Sequence, residues 1–377
     1  MASANSSFLQ TVAQREAALL APYAMRSADT RGRKYREPEH PYRGPFQRDR
    51  DRIVHSAAYR RLSGKTQVFT GDMGDYHRTR LTHTYEVASI ARTLGRTLRL
   101  NEDLIEALAL FHDIGHPPFG HAGEDALDEC LEKVGGFSHN RFALTLAEEL
   151  ESRYPEFPGL NLTREVLDGQ THRAEKNQPA QLVPLLEVQI VDLADSITYD
   201  AHDTDDAVKL GLVDLPQLLE IPLVALAAER VAQRGRPLSG KLLRSSIVHE
   251  LIDLQVTDVL AHSAPTLSTA ANRTSQQVRN TGILIEPSPA IQAQKRVLES
   301  FLFDRVYRHP KILEVRTIAQ ARLRTMFHAL VNHPDKLPMR FRERMEQFGL
   351  ERTVGDYLAG MTDRYCDAAY QRLASVP

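Results

Sequence analysis

The sequence predicts an all-α protein, and three observations support this class. Apolar residues recur at a spacing near 3.6 in most long segments, as on one side of an amphipathic helix. The alternation of apolar and polar residues that is typical of strands is not sustained in the sequence. The chain has 377 residues, of which 42% are hydrophobic and 25% are charged. That composition indicates a globular protein with a large core, in one domain or two.

Charge and cysteine content exclude several classes of protein. The net charge of −2 does not require a nucleic-acid partner. The two cysteines, Cys130 and Cys366, provide neither a disulfide framework nor a cysteine-based zinc site, which suits the reducing cytoplasm. No apolar run reaches about 18 residues, and the N-terminus lacks an apolar signal region. We therefore expect a cytoplasmic protein without a membrane partner.

Residues 1–60 are predicted to form a helical N-terminal arm. One helix is expected near residues 8–20 and another near 46–61. Residues 26–61 are rich in arginine, and their prolines favour an extended chain before the second helix. We expect most of these arginines to form a solvated, salt-bridged surface, while a few near the site bind phosphate.

The first site residues are expected on the following helix. Residues 65–77 carry turn signals and predict a loop or a short hairpin. The apolar spacing then predicts a helix over 79–98 that contains His83. Arg80 lies three residues earlier and therefore shares a face with His83.

Titratable residues crowd into the next turn. A helix that begins after Asn101 delivers His112 and Asp113 at its end, and Gly and Pro residues then bend the chain. His121 and Glu124 follow the bend. One interpretation is a polar surface loop. The other is a metal site, in which His112 and Asp113 are ligands and His121 and Glu124 are chemical groups beside the metal.

The central part of the chain predicts further helices. They are expected over 121–133, over 139–153 with Ser138 as the cap, and in a short segment near 164–169.

A helix over 184–203 carries a stripe of polar residues. Asp192, Asp195, Tyr199 and Asp203 fall at positions that lie on one side of the helix. The neighbouring positions are mostly apolar, which favours a cleft over a solvated face. The helical period alone allows either of the first two aspartates to point into that cleft.

The C-terminal part of the sequence predicts structural helices. They are expected over 241–263, 288–305, 311–330, 336–347 and 353–374. Thr353 fits the start of the last helix, and residues 264–287 predict a mobile loop rich in Ser, Thr and Asn. We expect a core at 61–215 that holds the metal site, and a helical region at 216–377 packed on it.

Three successive helices therefore offer metal-ligating side chains. His83, His112, Asp113 and one aspartate of the stripe make a mixed nitrogen and oxygen set that leaves positions for water or phosphate oxygens. Such a set suits a divalent metal ion, namely Mn²⁺, Mg²⁺, Fe²⁺, Co²⁺ or Ni²⁺.

The order of these residues resembles the HD superfamily of metal-dependent phosphohydrolases. Within it, the chain is most similar to the deoxyguanosine triphosphate triphosphohydrolase branch over residues 41–310. The segments that carry the resemblance are 60–69, 78–83, 111–124, 136–140, 194–203 and 301–310. The resemblance implies an HD-domain helical core with additional C-terminal helices.

The resemblance also assigns roles to individual residues. It implies Asp195 as the fourth metal ligand, His121 as the catalytic histidine and Glu124 as its acidic partner. The implied substrate-binding residues are Gln67, Arg80, His139, Tyr199 and Asp203. Gln67 would lie near the sugar and base, and His139 near the α-phosphate.

The implied reaction is the hydrolysis of a deoxynucleoside triphosphate, either dGTP or several dNTPs, to deoxynucleoside and tripolyphosphate. The resemblance also implies a homo-oligomer, a tetramer or a hexamer, with a dNTP activator at a second site. Two alternatives stay open. One is an HD phosphatase or phosphodiesterase that acts on nucleoside monophosphates or signalling nucleotides. The other is a regulator that binds nucleotides or single-stranded DNA through a vestigial site.

Overall fold

The computed structural model describes residues 10–67, 78–176 and 182–374. Within these ranges 18 α-helices and a few short 3₁₀ and π segments account for the regular structure. Pairing between extended segments is limited, in the described part of the chain, to three isolated bridges. The predicted all-α class is confirmed. Among the described helices, none is both long and apolar enough to cross a membrane.

The N-terminal half contains nine of the helices. They are α1 Val12–Leu19, α2 Pro45–Val54, α3 Ala57–Arg61, α4 Arg80–Thr97, α5 Glu102–Phe111, α6 Gly120–Cys130, α7 His139–Thr145, α8 Arg164–Ala174 and α9 Leu186–Lys209.

The C-terminal half contains the other nine. They are α10 Leu215–Leu219, α11 Pro222–Gln233, α12 Gly240–Ser268, α13 Ser275–Asn280, α14 Pro289–Leu302, α15 Pro310–Asn332, α16 Met339–Phe348, α17 Leu350–Ala359 and α18 Asp363–Ala374. Two π segments, Leu146–Leu150 and Phe303–Tyr307, directly follow α7 and α14.

Helix α5 is the centre of the fold. Seven of its ten residues are buried, and it packs against α2, α4, α8 and α9. A helix that is apolar nearly all round is stable only when other helices cover it on several sides. Helices α4 and α5 approach closely at Gly95, where a Cβ atom would lie 2.2 Å from Ile105 Cδ1. This packing brings the end of α5 between α4 and α9, which carry the other predicted ligands.

Buried apolar residues form two clusters. The larger one joins the arm, α4 to α9 and α15 to α18. The smaller one joins the end of α9 with α10, α11, the first half of α12 and α14. The larger cluster thus contains residues of all three predicted segments, and the division into 1–60, 61–215 and 216–377 stays a prediction.

The arginine-rich arm is salt-bridged but only partly solvated. Arg33 pairs with the fully buried Asp49, and Arg52 pairs with Glu37 at 2.6 Å. Arg52 Nη1 also donates to the carbonyl of Leu160 at 2.8 Å. Buried guanidinium groups need such partners because an unpaired buried charge is costly. The expectation of a solvated surface is therefore wrong for these two arginines.

Several helix boundaries differ from the predicted ones. The helix expected near 46–61 is two helices, because Ser56 caps a new one by accepting a hydrogen bond from the Tyr59 amide. The last predicted helix, 353–374, is also two helices, and Thr353 is buried inside α17 instead of capping it. Helices α8 and α9 continue well past their predicted ends.

The segment expected to be a mobile loop, 264–287, is partly helical. Helix α12 continues through Pro265 to Ser268. A capping box between Thr274 and Gln277 then starts α13. A cap of this kind satisfies free amide groups and can start even a short helix. Helices α10 and α11 were not predicted at all.

Gly115 allows α7 to pack against the backbone of the turn after α5. A Cβ atom at this position would lie 2.0 Å from the carbonyl oxygen of His139 and 2.5 Å from the amide of Ala143. Both contacts are with backbone atoms of another helix, so neither can be relieved by turning a side chain. The turn and α7 can meet only through a glycine.

We expect Gly115→Ala to lower the free energy of unfolding by about 1–3 kcal/mol or more, because overpacked backbone must move. The matched control is Gly360→Ala. Gly360 has φ −72°, and its Cβ atom would meet nothing closer than 3.4 Å. This control should be neutral or stabilising by about 0.4–1 kcal/mol. Chemical denaturation measures both, and equal stability of the two variants would contradict the steric explanation.

Candidate metal centre and active site

The four predicted ligands meet where α4, α5 and α9 converge. Ligand atoms of His83, His112 and Asp113 all lie within 4.8 Å of one another. Asp195 Oδ1 lies 3.1 Å from His83 Nε2 and 3.6 Å from His112 Nε2. Asp192, which the helical period allowed equally, instead pairs with Arg173 at 2.6 Å. The helical packing therefore brings together two imidazoles and two carboxylates.

His112 is oriented for binding a cation. Its Nδ1 donates to the carbonyl of Ala109 at 2.6 Å, so the proton resides on that nitrogen. Its Nε2 is buried and has no hydrogen-bond partner among the described residues. Burial lowers the pKa of His112, which keeps the ring neutral and leaves a lone pair on Nε2. A buried lone pair that faces two carboxylates fits a divalent metal ion well.

Asp113 is held in its ionised form. Arg80 Nη1 donates to Asp113 Oδ2 at 2.9 Å, and His116 Nδ1 lies 3.0 Å from Asp113 Oδ1. Burial by itself would raise the pKa of Asp113, but neighbouring His116, Arg80 and His112 hold it well below its usual range. A carboxylate that stays charged in the interior is suited to a cation.

A second histidine lies behind His83. His83 Nδ1 is 3.4 Å from Nδ1 of His202, and His202 Nε2 hydrogen-bonds to Glu86. One proton arrangement satisfies both contacts, in which His202 donates to Glu86 and His83 donates to His202. That arrangement leaves the lone pair of His83 Nε2 directed at Asp195 and the site. Partners of this kind fix the tautomer and the orientation of a metal-binding imidazole.

The predicted catalytic pair lies beside the metal cluster. His121 Nδ1 is 3.5 Å from Glu124 Oε2, whereas His139 Nδ1 lies closer, 2.8 Å from Glu124 Oε1. His116 stacks on His139 with ring centroids 3.7 Å apart. Burial would raise the pKa of Glu124, but hydrogen bonds to His121 and His139 lower it far more. Glu124 therefore stays ionised, accepts from His139 Nδ1 and lies within 3.5 Å of His121 Nδ1.

Glu124 also takes the role that Ser138 was expected to fill. Helix α7 begins at His139 as predicted, but the Ser138 side chain makes no capping hydrogen bond. Instead Glu124 Oε1 accepts a hydrogen bond from the His139 amide at 2.9 Å. The first turn of α7 is thus capped from α6, which links His139 to the predicted catalytic pair.

The described side chains enclose a cavity of about 190 Å³ at this site. It is lined by nine of the predicted residues, Gln67, Arg80, His83, His112, Asp113, His121, His139, Tyr199 and Asp195. His116, Asn140, Arg173 and Lys176 also line it. Residues 68–77, which include His77 and the end of one motif, lie outside the described residues. A larger cavity of about 840 Å³ lies between the π segment after α7 and α16 to α18, and it contains no residue of the metal cluster.

Two predicted residues do not line the cavity. Glu124 lies behind His121, and Asp203 is fully buried one turn beyond Tyr199 on α9. Burial, followed by the charges of Asp206 and Asp200, raises the pKa of Asp203 well above its usual range. Burial and the Asp203 carboxylate likewise raise the pKa of Tyr199. Neither carboxyl oxygen of Asp203 has a hydrogen-bond partner among the described residues.

Tyr199 is also contacted by an aromatic ring from the π segment after α14. Its ring stacks on Tyr307 with centroids 6.2 Å apart and an interplanar angle of 21°. The contact attaches the C-terminal half to the wall of the cavity.

The models of two protein families match parts of this chain. Residues 80–200 match the HD domain, and residues 285–372 match the phosphohydrolase-associated domain. The chain is 40% identical over 368 residues to a deoxyguanosinetriphosphate triphosphohydrolase-like protein of Ralstonia pickettii, covering 95% of each chain. It is 42% identical over 369 residues to a protein of the same name from Bordetella pertussis, covering 94% of this chain and 96% of the relative.

The chain belongs to the deoxyguanosinetriphosphate triphosphohydrolase-like family of HD-domain proteins. The predicted resemblance is confirmed. A solved structure of a hypothetical protein from Aquifex aeolicus aligns over 78% of this chain and 79% of its own, at 15% identity and a TM-score of 0.30. That similarity is too low to support any conclusion.

In this triphosphohydrolase-like protein, sequence reasoning missed several residues at the site. One of them is His202, which lies seven positions after Asp195 and therefore on the same face of α9. Glu86 lies three positions after His83 on α4 and shares its face in the same way. No spacing in the sequence indicates Arg173, because it lies in the part of α8 beyond the predicted end of that helix.

If His202 orients His83, replacing it should weaken metal binding. We expect His202→Ala to lower Mn²⁺ affinity roughly 10- to 100-fold, the usual effect of removing a partner of a ligating histidine. His83→Ala should lower it further. Titration calorimetry measures the affinity, with His249→Ala on the exposed side of α12 as the control. Unchanged affinity in His202→Ala would contradict the proposed orientation.

Proposed function

We propose that this phosphohydrolase converts deoxynucleoside triphosphates, dGTP or several dNTPs, to deoxynucleoside and tripolyphosphate. The observation that carries the proposal is that the four predicted metal ligands and His121 line one cavity. Ligand atoms of His83, His112 and Asp113 lie within 4.8 Å of one another, and the His121–Glu124 pair lies beside them. The names of the family relatives support the choice of substrate.

His83, His112, Asp113 and Asp195 would hold the metal ion. When bound, a divalent ion of this kind polarises phosphoryl oxygens and adds positive charge where the transition state becomes more negative. Mn²⁺ and Mg²⁺ are the first ions to test, followed by Fe²⁺, Co²⁺ and Ni²⁺, because the donor set is nitrogen and oxygen only.

His121 supplies the proton transfer in this proposal. Its Nδ1 faces Glu124, so its Nε2 is the atom available to the substrate. A water oxygen forms a bond to the α-phosphorus, the bond to the 5′ oxygen breaks, and a proton passes to that oxygen as the deoxynucleoside leaves. Glu124 stabilises the imidazolium form of His121 and keeps its orientation. His139, hydrogen-bonded to the same carboxylate, is then placed near the α-phosphate.

Cationic side chains of the cavity wall would bind the triphosphate. Arg80 is buried, and two hydrogen bonds fix its orientation. Its Nη1 donates to Asp113 Oδ2 at 2.9 Å, and its Nη2 donates to the Gln67 carbonyl at 3.0 Å. Arg173, near the end of α8, and Lys176, just after it, also line the cavity. Fixed positive groups are effective here because they need no reorganisation when charge develops.

Gln67 and Tyr199 would make the remaining contacts with the substrate, because both line the cavity. Gln67 Oε1 is buried and has no partner among the described residues, which suits a hydrogen bond to the sugar or base. Tyr199 lines the cavity and would contact phosphate, and the substrate-binding role of Asp203, which is buried one turn further along α9, stays a prediction. The dNTP activator site, the tetramer or hexamer and single-stranded DNA stay predictions. The described ion pairs between arginines and acids of the arm give no support to a DNA-binding role.

A product assay tests the function. We expect purified protein with Mn²⁺ or Mg²⁺ to release deoxynucleoside and tripolyphosphate in equal amounts from at least one of the four common dNTPs. Chromatography separates the products. Release of orthophosphate or pyrophosphate without tripolyphosphate would contradict the proposal. Hydrolysis of nucleoside monophosphates alone would favour the HD phosphatase, and hydrolysis of signalling nucleotides alone would favour the HD phosphodiesterase.

The catalytic pair has its own test. We expect His121→Ala to lower kcat roughly 10²- to 10⁴-fold, the range for loss of a general acid or base. Glu124→Gln should lower it less, since the imidazole remains. Mn²⁺ affinity should be unchanged in His121→Ala, because none of the four ligands is removed. Full activity of this variant would exclude the assigned role, and inactive wild-type protein that still binds dNTPs would favour the vestigial site.

A further inference from the structure

One carboxylate of the C-terminal region joins two segments of the active site. Asp363 is the first residue of α18. Its Oδ1 accepts a hydrogen bond from the Phe119 amide at 2.9 Å. Its Oδ2 accepts from the amide and the hydroxyl of Thr66 at 2.9 and 2.7 Å. Three donors from two distant segments therefore converge on a single side chain.

Both segments lead directly into predicted site residues. Phe119 has the left-handed backbone conformation, φ +64°, and immediately precedes α6, whose second residue is His121. A non-glycine residue adopts this conformation only where its surroundings hold it there. Thr66 is followed by Gln67, whose carbonyl accepts a hydrogen bond from Arg80 at 3.0 Å.

A buried lysine strengthens the same junction. Lys65 is only 2% exposed, and its Nζ donates to the carbonyls of His116 at 2.5 Å and Ala359 at 3.1 Å. Ala359 is the last residue of α17, where a helix end favours a cation. A Cβ atom on Gly64 would lie only 3.0 Å from Thr362 Cγ2, so the two segments are also in close contact. The junction is thus packed as well as hydrogen-bonded.

In the described part of the chain, the metal ligands make no hydrogen bond to the Asp363 carboxylate, although Arg80 connects Asp113 to the Gln67 carbonyl. They come from α4, the end of α5, and α9, and the hydrogen bonds of Asp363 in the described structure go to none of these helices. The start of α6 could therefore shift while the four ligands kept their places, whereas a shift of residues 66–67 would reach Asp113 through Arg80. A shift of about 1 Å between reacting groups can cost roughly 100-fold in rate.

We propose that Asp363 is a positioning residue, through which the phosphohydrolase-associated region holds His121 and Gln67 in their places relative to the metal centre. The assignment rests on the proposed function for its kinetic consequences. Asp363 does not line the cavity and acts through the Phe119 and Thr66 backbone.

The kinetic test uses three variants at the junction. We expect Asp363→Ala to lower kcat roughly 10- to 100-fold without changing the Mn²⁺ affinity. Asp363→Asn keeps one accepting oxygen and should fall between this variant and the wild type. Thr66→Val removes only the hydroxyl bond on the Gln67 side, so it should raise KM more than it lowers kcat.

Asp367→Asn is the matched control. Asp367 lies one turn further along α18 and pairs with Arg322 on α15 at 2.6 Å, away from the active site. Its loss removes an ion pair from the same helix, so it reports any general effect on α18. We expect kcat and KM of this variant to equal those of the wild type. A loss of kcat in Asp367→Asn as large as in Asp363→Ala would overturn the proposal.

Hydrogen exchange provides a readout that does not depend on catalysis. With the full chain and Mn²⁺, peptides that cover 62–67 and 116–122 should exchange faster in Asp363→Ala and Asp363→Asn than in the wild type and Asp367→Asn. Peptides of α5 and of residues 88–97 in α4 should not change, whereas the first residue of α4 donates to the Lys65 carbonyl and belongs to the junction. Unchanged exchange in both segments, or equal loss of protection throughout the chain, would overturn the proposal. This result is independent of the product assay, so failure of the dNTP reaction and failure of the positioning role are distinguishable.

Discussion

The contact between Arg80 and Asp113 fixes the centre of this protein. Both side chains are buried, and Arg80 Nη1 donates to Asp113 Oδ2 at 2.9 Å. Breaking a buried pair by removing one partner costs about 3–5 kcal/mol, because the other charge stays in the interior without compensation. The contact also directs one carboxylate oxygen to α4 and leaves the other, Oδ1, on the side of His112 and His116. A structural ion pair thereby decides which atom is available to a cation.

Each of the other predicted ligands is also held by a partner group. The partner contacts the polar atom of the ligand that does not face the site. The Ala109 carbonyl accepts from His112 Nδ1, and His202 contacts His83 Nδ1. Arg173 lies 3.6 Å from Asp195 Oδ2, the oxygen that does not face His83. Buried polar groups are costly unless they are partnered, so each ligand has one partner that fixes its orientation. The centre is thus organised by the helices before any ion binds.

The helices that form this centre could be predicted from the sequence because their apolar spacing is regular. Long elements such as α4, α5 and α9 have a hydrophobic period. That period allows either Asp192 or Asp195 as the fourth metal ligand, and only the resemblance to the family indicates Asp195. The contact of His202 could have been predicted from helical spacing, but a histidine carries no sign of what it faces. The helix breaks at Ser56 and 360–362 depend on single caps, which the apolar spacing does not indicate. The contact of Asp363 joins residues that lie 244 and 297 positions apart, and only packing brings them together.

The π segment Phe303–Tyr307 makes the position of Tyr307 sensitive to the number of residues that precede it. A π turn contains one residue more than the α turn it replaces, so it shifts every later side chain around the helix axis by about 100°. Tyr307 is stacked on Tyr199, at the wall of the cavity, at the end of this segment. The aromatic contact therefore depends on the number of residues after Leu302 more than on their identity. The loss of one residue from the segment would therefore turn Tyr307 away from the wall of the cavity.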